Sequence, residues 1–283
     1  MAPSRYFADP ALLVVDGVFH LYPTTDGEPD WGANAFRVFT STDLLRWDDR
    51  GEVLRLGTDV RWASSRAWAP AAHVAGDRYL LYFSAEDNIG VASAPTPLGP
   101  FEDAGEPIVP AGRYPGRAID PSVFVDHDGT TYLLWGNGAA NIARLADDGL
   151  SIVEDSVVTW QIPSFREAAH LHRRGDRYYL SWSENDTRDP DYRVRWASGP
   201  SAHGPWTDGG VLLEQSPTDG VFATGHHTIL RLPGSDDWII AYHRFAVPDG
   251  DGFHREIVID ELRHADDRSL VPVTPSRRAI ELV

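Results

Sequence analysis

The chain lacks cysteine and lysine altogether and has one methionine among its 283 residues. Without cysteine no disulfide can be needed, and the composition suits either redox compartment. Without lysine, all 25 basic residues are arginine, and against 42 acidic residues they leave a formal net charge of −17. So acidic a surface repels phosphate backbones and anionic bilayers, which excludes nucleic acid and membrane lipid as expected partners. The same bias fits a GC-rich genome or a saline habitat. No run approaches the roughly 18 uncharged apolar residues that a membrane-spanning helix needs. The opening MAPSRYFADP carries no apolar signal core, so a cytoplasmic location is expected. Sustained helical periodicity is missing too.

What remains is short runs of Val, Ile, Leu, Tyr and Trp cut by Gly, Pro and Asp, the pattern of strands and hairpins. The runs repeat. DPALLVVDGVFHLYPTT (9–25), APAAHVAGDRYLLYFSA (69–85), DPSVFVDHDGTTYLLWGN (120–137), EAAHLHRRGDRYYLSWS (167–183) and HHTILRLPGSDDWIIAYHR (226–244) share one plan. Each has a polar or small first residue, an apolar strand, a Gly/Asp turn and an aromatic return strand. The first residue and the return aromatic are ten apart for Asp9–Phe19 and Ala69–Tyr79, and twelve apart for Asp120–Tyr132, Glu167–Tyr179 and His226–Trp238. A second half-repeat follows most units, with Trp47, Phe101 and Trp206 at one recurring position, expected between units. The reading is an all-β, five-bladed β-propeller with four-stranded antiparallel blades, one domain over residues 1–283. A linear solenoid would need polar caps, and none is seen. Residues 253–273 (FHREIVIDELRHADDRSLVPV) are expected to form the outer strands of the fifth blade.

In a propeller the first strand of each blade lines the central channel, so equivalent repeat positions converge on one axis. Asp9, Asp120 and Glu167 read as equivalent positions of units one, three and four, with Ala69 in unit two and His226 in unit five. A lone Asp-Pro at a strand start is usually a turn device. Three acids at equivalent positions instead ring one funnel, together with a histidine. Like charges held so close push at least one pKa up while another group stays ionised. Glycosidic cleavage uses such a split: one acid protonates the leaving oxygen and one base activates water.

At these residues the chain resembles glycoside hydrolase family 43, the five-bladed furanosidase-type propellers. The resemblance spans essentially the whole length through ADP (8–10), RAWAP (66–70), IGVASAPTPLGPF (89–101), IDPSVFVDHDGTTYLLWGN (119–137), EAAHLHRRGDRYYLSWS (167–183) and ATGHHTILRLPGSDDWIIAYHR (223–244). It implies an inverting mechanism with Asp9 as general base, Glu167 as general acid and Asp120 raising and orienting that acid. It implies no cofactor for the chemistry. His226 matches the family's axial histidine, which approaches a calcium or sodium ion near the channel centre. Ala168-Ala169 stands where family members often have Gly-Pro after the acid.

Trp68, at the edge of the blade-two funnel, and Trp31, in the loop GEPDWGANAF (27–36), are expected to contact sugar. Phe7, Trp135, His170 and Arg244 complete the candidate substrate contacts. The expected activity is an inverting exo-glycosidase releasing terminal furanosyl residues, an α-L-arabinofuranosidase acting on small arabino-oligosaccharides. β-D-Xylosidase and β-D-galactofuranosidase are the alternatives on the same scaffold. A non-catalytic carbohydrate-binding propeller would make the three acids dispensable. Fructan-processing relatives would resemble Asn-Asp-Pro, Arg-Asp-Pro and Glu-Cys, where this chain has Ala-Asp-Pro, Ile-Asp-Pro and Glu-Ala.

Overall fold

The computed structural model describes residues 6–283; the first five residues of the opening read above lie outside it. Its strands form five sheets. Blade one runs β1 (Phe7–Val15), β2 (Val18–Thr25), β3 (Ala35–Ser41) and β4 (Arg46–Arg55). Blade two runs β5 (Trp68–Ala75), β6 (Arg78–Ala85), β7 (Asn88–Ala94) and β8 (Glu102–Asp103). Blade three runs β9 (Ser122–Val125), β10 (Thr131–Trp135), β11 (Ala140–Arg144) and β12 (Val158–Trp160). Blade four runs β13 (Glu167–Arg174), β14 (Arg177–Glu184), β15 (Arg193–Gly199) and β16 (Thr207–Leu213). Blade five has β17 (Gly225–Arg231), β18 (Trp238–Phe245) and β19 (Arg255–Leu262). Each innermost strand touches the next, and β17 touches β1, so the five-bladed propeller closes into a ring. No helix among the described residues is long and apolar enough to cross a membrane.

The near-continuous apolar strands follow from this arrangement, because both faces of every blade are covered. Successive side chains point to opposite faces. In β6, Leu81 and Phe83 enter the core shared with blade one, while Leu80 and Tyr82 enter the core shared with blade three. Five such cores separate the five pairs of neighbouring blades. Trp47, Phe101 and Trp206 do stand between blades, each filling the core toward the preceding one. Phe7 and Trp135 belong to these cores as well. Phe7 meets Phe39 edge-on at 5.1 Å, and Trp135 meets Tyr114 at 5.5 Å. Neither lines the cavity described below, which corrects their expected role as sugar contacts.

The outer edge of blade five departs from expectation. After β19 the chain makes only a short bridge, His264 with Leu270, and then leans on blade four where Val273 pairs with Leu213. Pro272 and Pro275 lack the N–H groups that a further ladder strand would need. The tail instead travels on to blade one, where β20 (Glu281–Leu282) pairs in parallel with β4. Arg244 holds this path. Its fully buried guanidinium donates to the carbonyls of Ser276 and Arg277 and to Glu256. Arg244 is therefore a brace for the tail and lies outside the cavity, a second correction.

Removing this brace leaves two carbonyls and the Glu256 carboxylate without their donor. Arg244→Met is expected to destabilise the fold by about 3 kcal/mol, read from the shift in urea unfolding. A loss below about 1 kcal/mol, the range of an exposed ion pair, would show that the tail is held by other contacts.

Candidate active site

Every innermost strand carries one extra residue near its start. The register slips by one between Ala8 and Ala11, Trp68 and Ala71, Glu167 and His170, and Gly225 and His227. In blade three the Gly136 N–H to Ile119 carbonyl bond, followed by the Ser122–Leu134 pair, gives the same count. The bulged residue has positive φ in all five blades: Asp9 50°, Ala69 40°, Asp120 59°, Ala168 57° and His226 43°. None is glycine, and for other residues this conformation costs of order 1–2 kcal/mol each.

A side chain from the preceding blade steadies these strained positions. Ala69 N–H donates to Thr24 Oγ1 (2.7 Å), Asp120 N–H to Ser84 Oγ (2.9 Å) and His226 N–H to Ser183 Oγ (2.9 Å). Asp9 N stands 3.3 Å from His243 Nδ1. The fifth equivalent position is Gly136, which has no side chain to offer. There the Ala168 N–H is turned toward the carboxylate of Asp120 and is the least of the influences on its pKa.

This register corrects the expected repeat alignment. Asp9, Asp120 and His226 occupy the bulge, but in blade four Ala168 does, and Glu167 precedes it. Counted from Ala168, the return aromatic Tyr178 is ten residues away, as in blades one and two. A bulge re-aims the side chains beside it. The residue before the bulge therefore also reaches the cavity, as Trp68, Ile119 and Glu167 all do.

The cavity has a volume of about 210 Å³, with Asp9, Asp120 and Glu167 at 7%, 5% and 8% exposure on its floor. Asp9 Oδ1 lies 3.0 Å from His243 Nδ1, 3.3 Å from His226 Nδ1 and 3.4 Å from Arg255 Nη1. Burial alone would raise the Asp9 pKa, but His226, Arg255 and His243 outweigh it and hold the carboxyl well below its ordinary range. Arg255 arrives from β19, anchored on both oxygens of buried Asp26 at 2.7 and 2.9 Å. Asp9 is thus neutralised by an arginine from outside the repeat motifs. Asp120 behaves oppositely: burial, then the charges of Glu167 and Asp9, push its carboxyl well above the ordinary range. Its Oδ2 has no hydrogen-bond partner among the described residues. Glu167 accepts from Asn137 Nδ2 at 2.6 Å and from the Tyr192 hydroxyl at 2.8 Å. Burial, then Glu167, raise the Tyr192 pKa far enough to keep it a donor. An ionised carboxylate therefore faces an Asp120 carboxyl that holds its proton, with Glu167 beside it, the equipment of acid–base catalysis.

Trp31 and Trp68 stand at the cavity wall, joined by Trp68 Nε1–H to Trp31 carbonyl at 2.7 Å. His170 does not join them. It is buried lower in the channel, with Nε2 3.2 Å from the Ile229 carbonyl. Asn137, Tyr192, Asp26, His243 and Arg255 escaped sequence reasoning. Only His243 carried a signal, since it shares the repeat position of Thr24, Ser84 and Ser183.

The model of glycosyl hydrolases family 43 matches residues 4–269. A beta-D-galactofuranosidase of Aspergillus niger is 30% identical over 98% of this chain and 85% of its own length. The xylosidase/arabinosidase 43A of Humicola insolens is 31% identical over 97% of this chain and all of its own. Among solved structures, the Xanthomonas citri GH43_1 enzyme complexed with xylose superposes with TM-score 0.81, at 26% identity over 98% of this chain and 93% of that one. A compost-metagenome β-xylosidase/α-arabinofuranosidase, complexed with xylotriose in a calcium-free form, gives TM-score 0.81 at 28% identity over 96% of both chains.

The two shifted acids have opposite linkage. Asp9, with its pKa depressed, adds stability above the ordinary carboxyl pKa that is lost as pH falls through its folded value. Asp120, with its pKa raised, costs stability as pH climbs toward and through its folded value. Asp120→Asn is therefore expected to melt above wild type near pH 8, with the gap closing toward pH 4, while hydrolysis falls at least about 10²-fold. A gap independent of pH, measured by thermal denaturation, would contradict the raised pKa.

Proposed function

The chain belongs to the glycosyl hydrolases of family 43, and from that membership we propose an inverting exo-glycosidase that removes terminal α-L-arabinofuranosyl residues from short oligosaccharides. One observation carries the reading: ionised Asp9, proton-holding Asp120 and Glu167 share the floor of one cavity. Asp9 accepts a proton from a water as its oxygen bonds to the anomeric carbon. Glu167 protonates the leaving oxygen as the glycosidic bond breaks. Asn137 and Tyr192 hold the Glu167 carboxyl in place, and Arg255 with His243 keeps Asp9 ionised. Two carboxyl groups and water suffice, so the chemistry needs no cofactor. The cavity, about 210 Å³, suits one terminal sugar more than a polymer threaded through it, which supports exo action. Imported oligosaccharides in the cytoplasm are the substrates this reading implies.

β-D-Xylosidase and β-D-galactofuranosidase are the competing specificities, favoured by the xylose-bound neighbour and the Aspergillus relative. A purely binding propeller would gain nothing from three buried acids whose mutual repulsion costs stability. A calcium or sodium ion beside His226 belongs to the same proposal. Asp120 Oδ2 and Ser122 Oγ border the channel as buried oxygens without partners, a donor type that suits a water-shelled hard cation. No trio of His, Asp or Glu among the described residues is placed to grip a metal directly.

Aryl α-L-arabinofuranoside, β-D-xyloside and β-D-galactofuranoside, hydrolysed by wild type and Glu167→Ala with the product anomer followed by NMR, decide the matter. The expected result is preference for the arabinofuranoside, inverted product and at least about a 10³-fold loss in the variant. Retained configuration overturns the mechanism, full activity in Glu167→Ala overturns its role, and preference for another glycoside reassigns the sugar.

A further inference from the structure

The wall above the catalytic floor is unusual for so acidic a chain, because it is built of arginine. Arg117, Arg166 and Arg188 line the cavity with side chains 42%, 40% and 57% exposed. A fourth, Arg66, joins them beside Trp68. The guanidinium carbons of Arg66 and Arg117 stand 5.6 and 5.8 Å from the Trp68 ring centre, and that of Arg188 stands 5.9 Å from the Trp31 ring. Trp31 is also stacked on Phe253, with centroids 4.4 Å apart. The tryptophans thus carry cations on their rings, and the wall offers N–H donors and positive charge more than bare aromatic platforms.

These four guanidinium groups meet two carboxylates of the wall, and Arg166 also approaches Glu167 on the floor. Arg117 Nη2 reaches Asp87 Oδ1 at 2.5 Å. Arg166 and Arg188 share Asp186, at 2.8 and 2.6 Å, and hydrogen bonds led by those from Arg188 pull the Asp186 carboxyl down to about 2. Arg66 has no ion pair among the described residues, and Arg166 Nε, 3.9 Å from Glu167 Oε2, is a buried donor that makes no hydrogen bond there. One guanidinium, that of Arg66, is left without a carboxylate at the wall. The catalytic floor is negative, and the surface as a whole carries −17. A neutral sugar gains only ordinary hydrogen bonds from such a separation. An anionic group held just outside the scissile bond gains planar, charge-assisted donors.

Building on the glycosidase reading, we infer that Arg66, Arg117, Arg166 and Arg188 form a subsite for a uronic-acid residue, so that the preferred leaving group is an acidic sugar. The carboxylates of Asp87 and Asp186 show that these guanidinium groups already bind planar carboxylate. A uronate shares or displaces them while the terminal neutral sugar rests on the floor. The arginines also attract acidic oligosaccharides that the rest of the surface repels.

The test is binding of D-glucuronate and D-glucose to the wild-type protein, by calorimetry and by tryptophan fluorescence, at 20 and 500 mM NaCl. Glucuronate is expected to bind about tenfold more tightly at low salt, as one added charge-assisted contact would give, and within about threefold of glucose at high salt. Arg117→Gln and Arg188→Gln should each lower the low-salt preference about threefold. Equal binding of the two sugars at low salt overturns the subsite, as does a preference that survives both salt and the substitutions. Hydrolysis of the aryl glycosides by the same preparation reports separately on the catalytic reading. An active enzyme without glucuronate preference loses only the subsite, and an inactive protein with it loses only the catalysis.

Discussion

The hydrogen bond that crosses from one blade to the bulged backbone of the next is the constraint on which this site depends. A residue with positive φ is unfavourable for every side chain found there, so an isolated strand would straighten and turn its acid away from the cavity. Thr24, Ser84, Ser183 and His243 prevent this by engaging the exposed N–H groups. The propeller is therefore more than a frame that brings acids near an axis. Each blade sets the backbone of the next, and the pocket exists only when the ring is closed. The inter-blade cores and the tail strand on blade one serve the same end by fixing the angular position of each blade.

Electrostatics then divides labour among acids that the repeat alone would make alike. Asp9 and Asp120 share a bulge position and near-complete burial, yet their pKa values move in opposite directions. The difference is one of neighbours. Asp9 has Arg255 and two histidines around one oxygen; Asp120 has two other carboxylates and an oxygen with no donor. Burial amplifies both effects, because low-dielectric surroundings strengthen attraction and repulsion equally. Asp26 completes the device. By neutralising Arg255 it lets a guanidinium stay buried, so that the cation can serve Asp9 without a desolvation penalty borne alone.

Much of this was legible in the sequence, for a physical reason. Equivalent blades need equivalent strand starts, so the acids and His226 stood out as repeat positions, and the inter-blade aromatics Trp47, Phe101 and Trp206 recurred likewise. The repeat was less informative where two faces alternate. Phe7 and Trp135 are apolar residues near strand ends, and only the strand register assigns them to cores. Glu167 was placed one position off because its longer side chain reaches the cavity from the residue before the bulge. The two-residue turn at Gly175-Asp176, matching Gly76-Asp77 in blade two, was the available clue. Arg255, Asn137 and Tyr192 come from outer or connecting positions that vary between blades, and no periodic pattern could have pointed to them.

Blade three shows why the proton-holding acid sits where it does. A side chain at position 136 would strike the Ala139 carbonyl, because an added Cβ falls 1.8 Å from that oxygen. Blade three therefore cannot supply a side chain to the bulge of blade four as the other blades do for their neighbours. The Asp120 carboxylate stands nearest that place, with the Ala168 N–H turned toward it. The residue with this N–H directly follows Glu167, so the charge on Asp120 acts on the acid by two routes, through space as a like charge and through the backbone that carries it. A carboxylate at Asp120 grips the N–H more strongly and repels Glu167; a protonated one relaxes both. The missing side chain at Gly136 thus ties the protonation state of one acid to the position of the other.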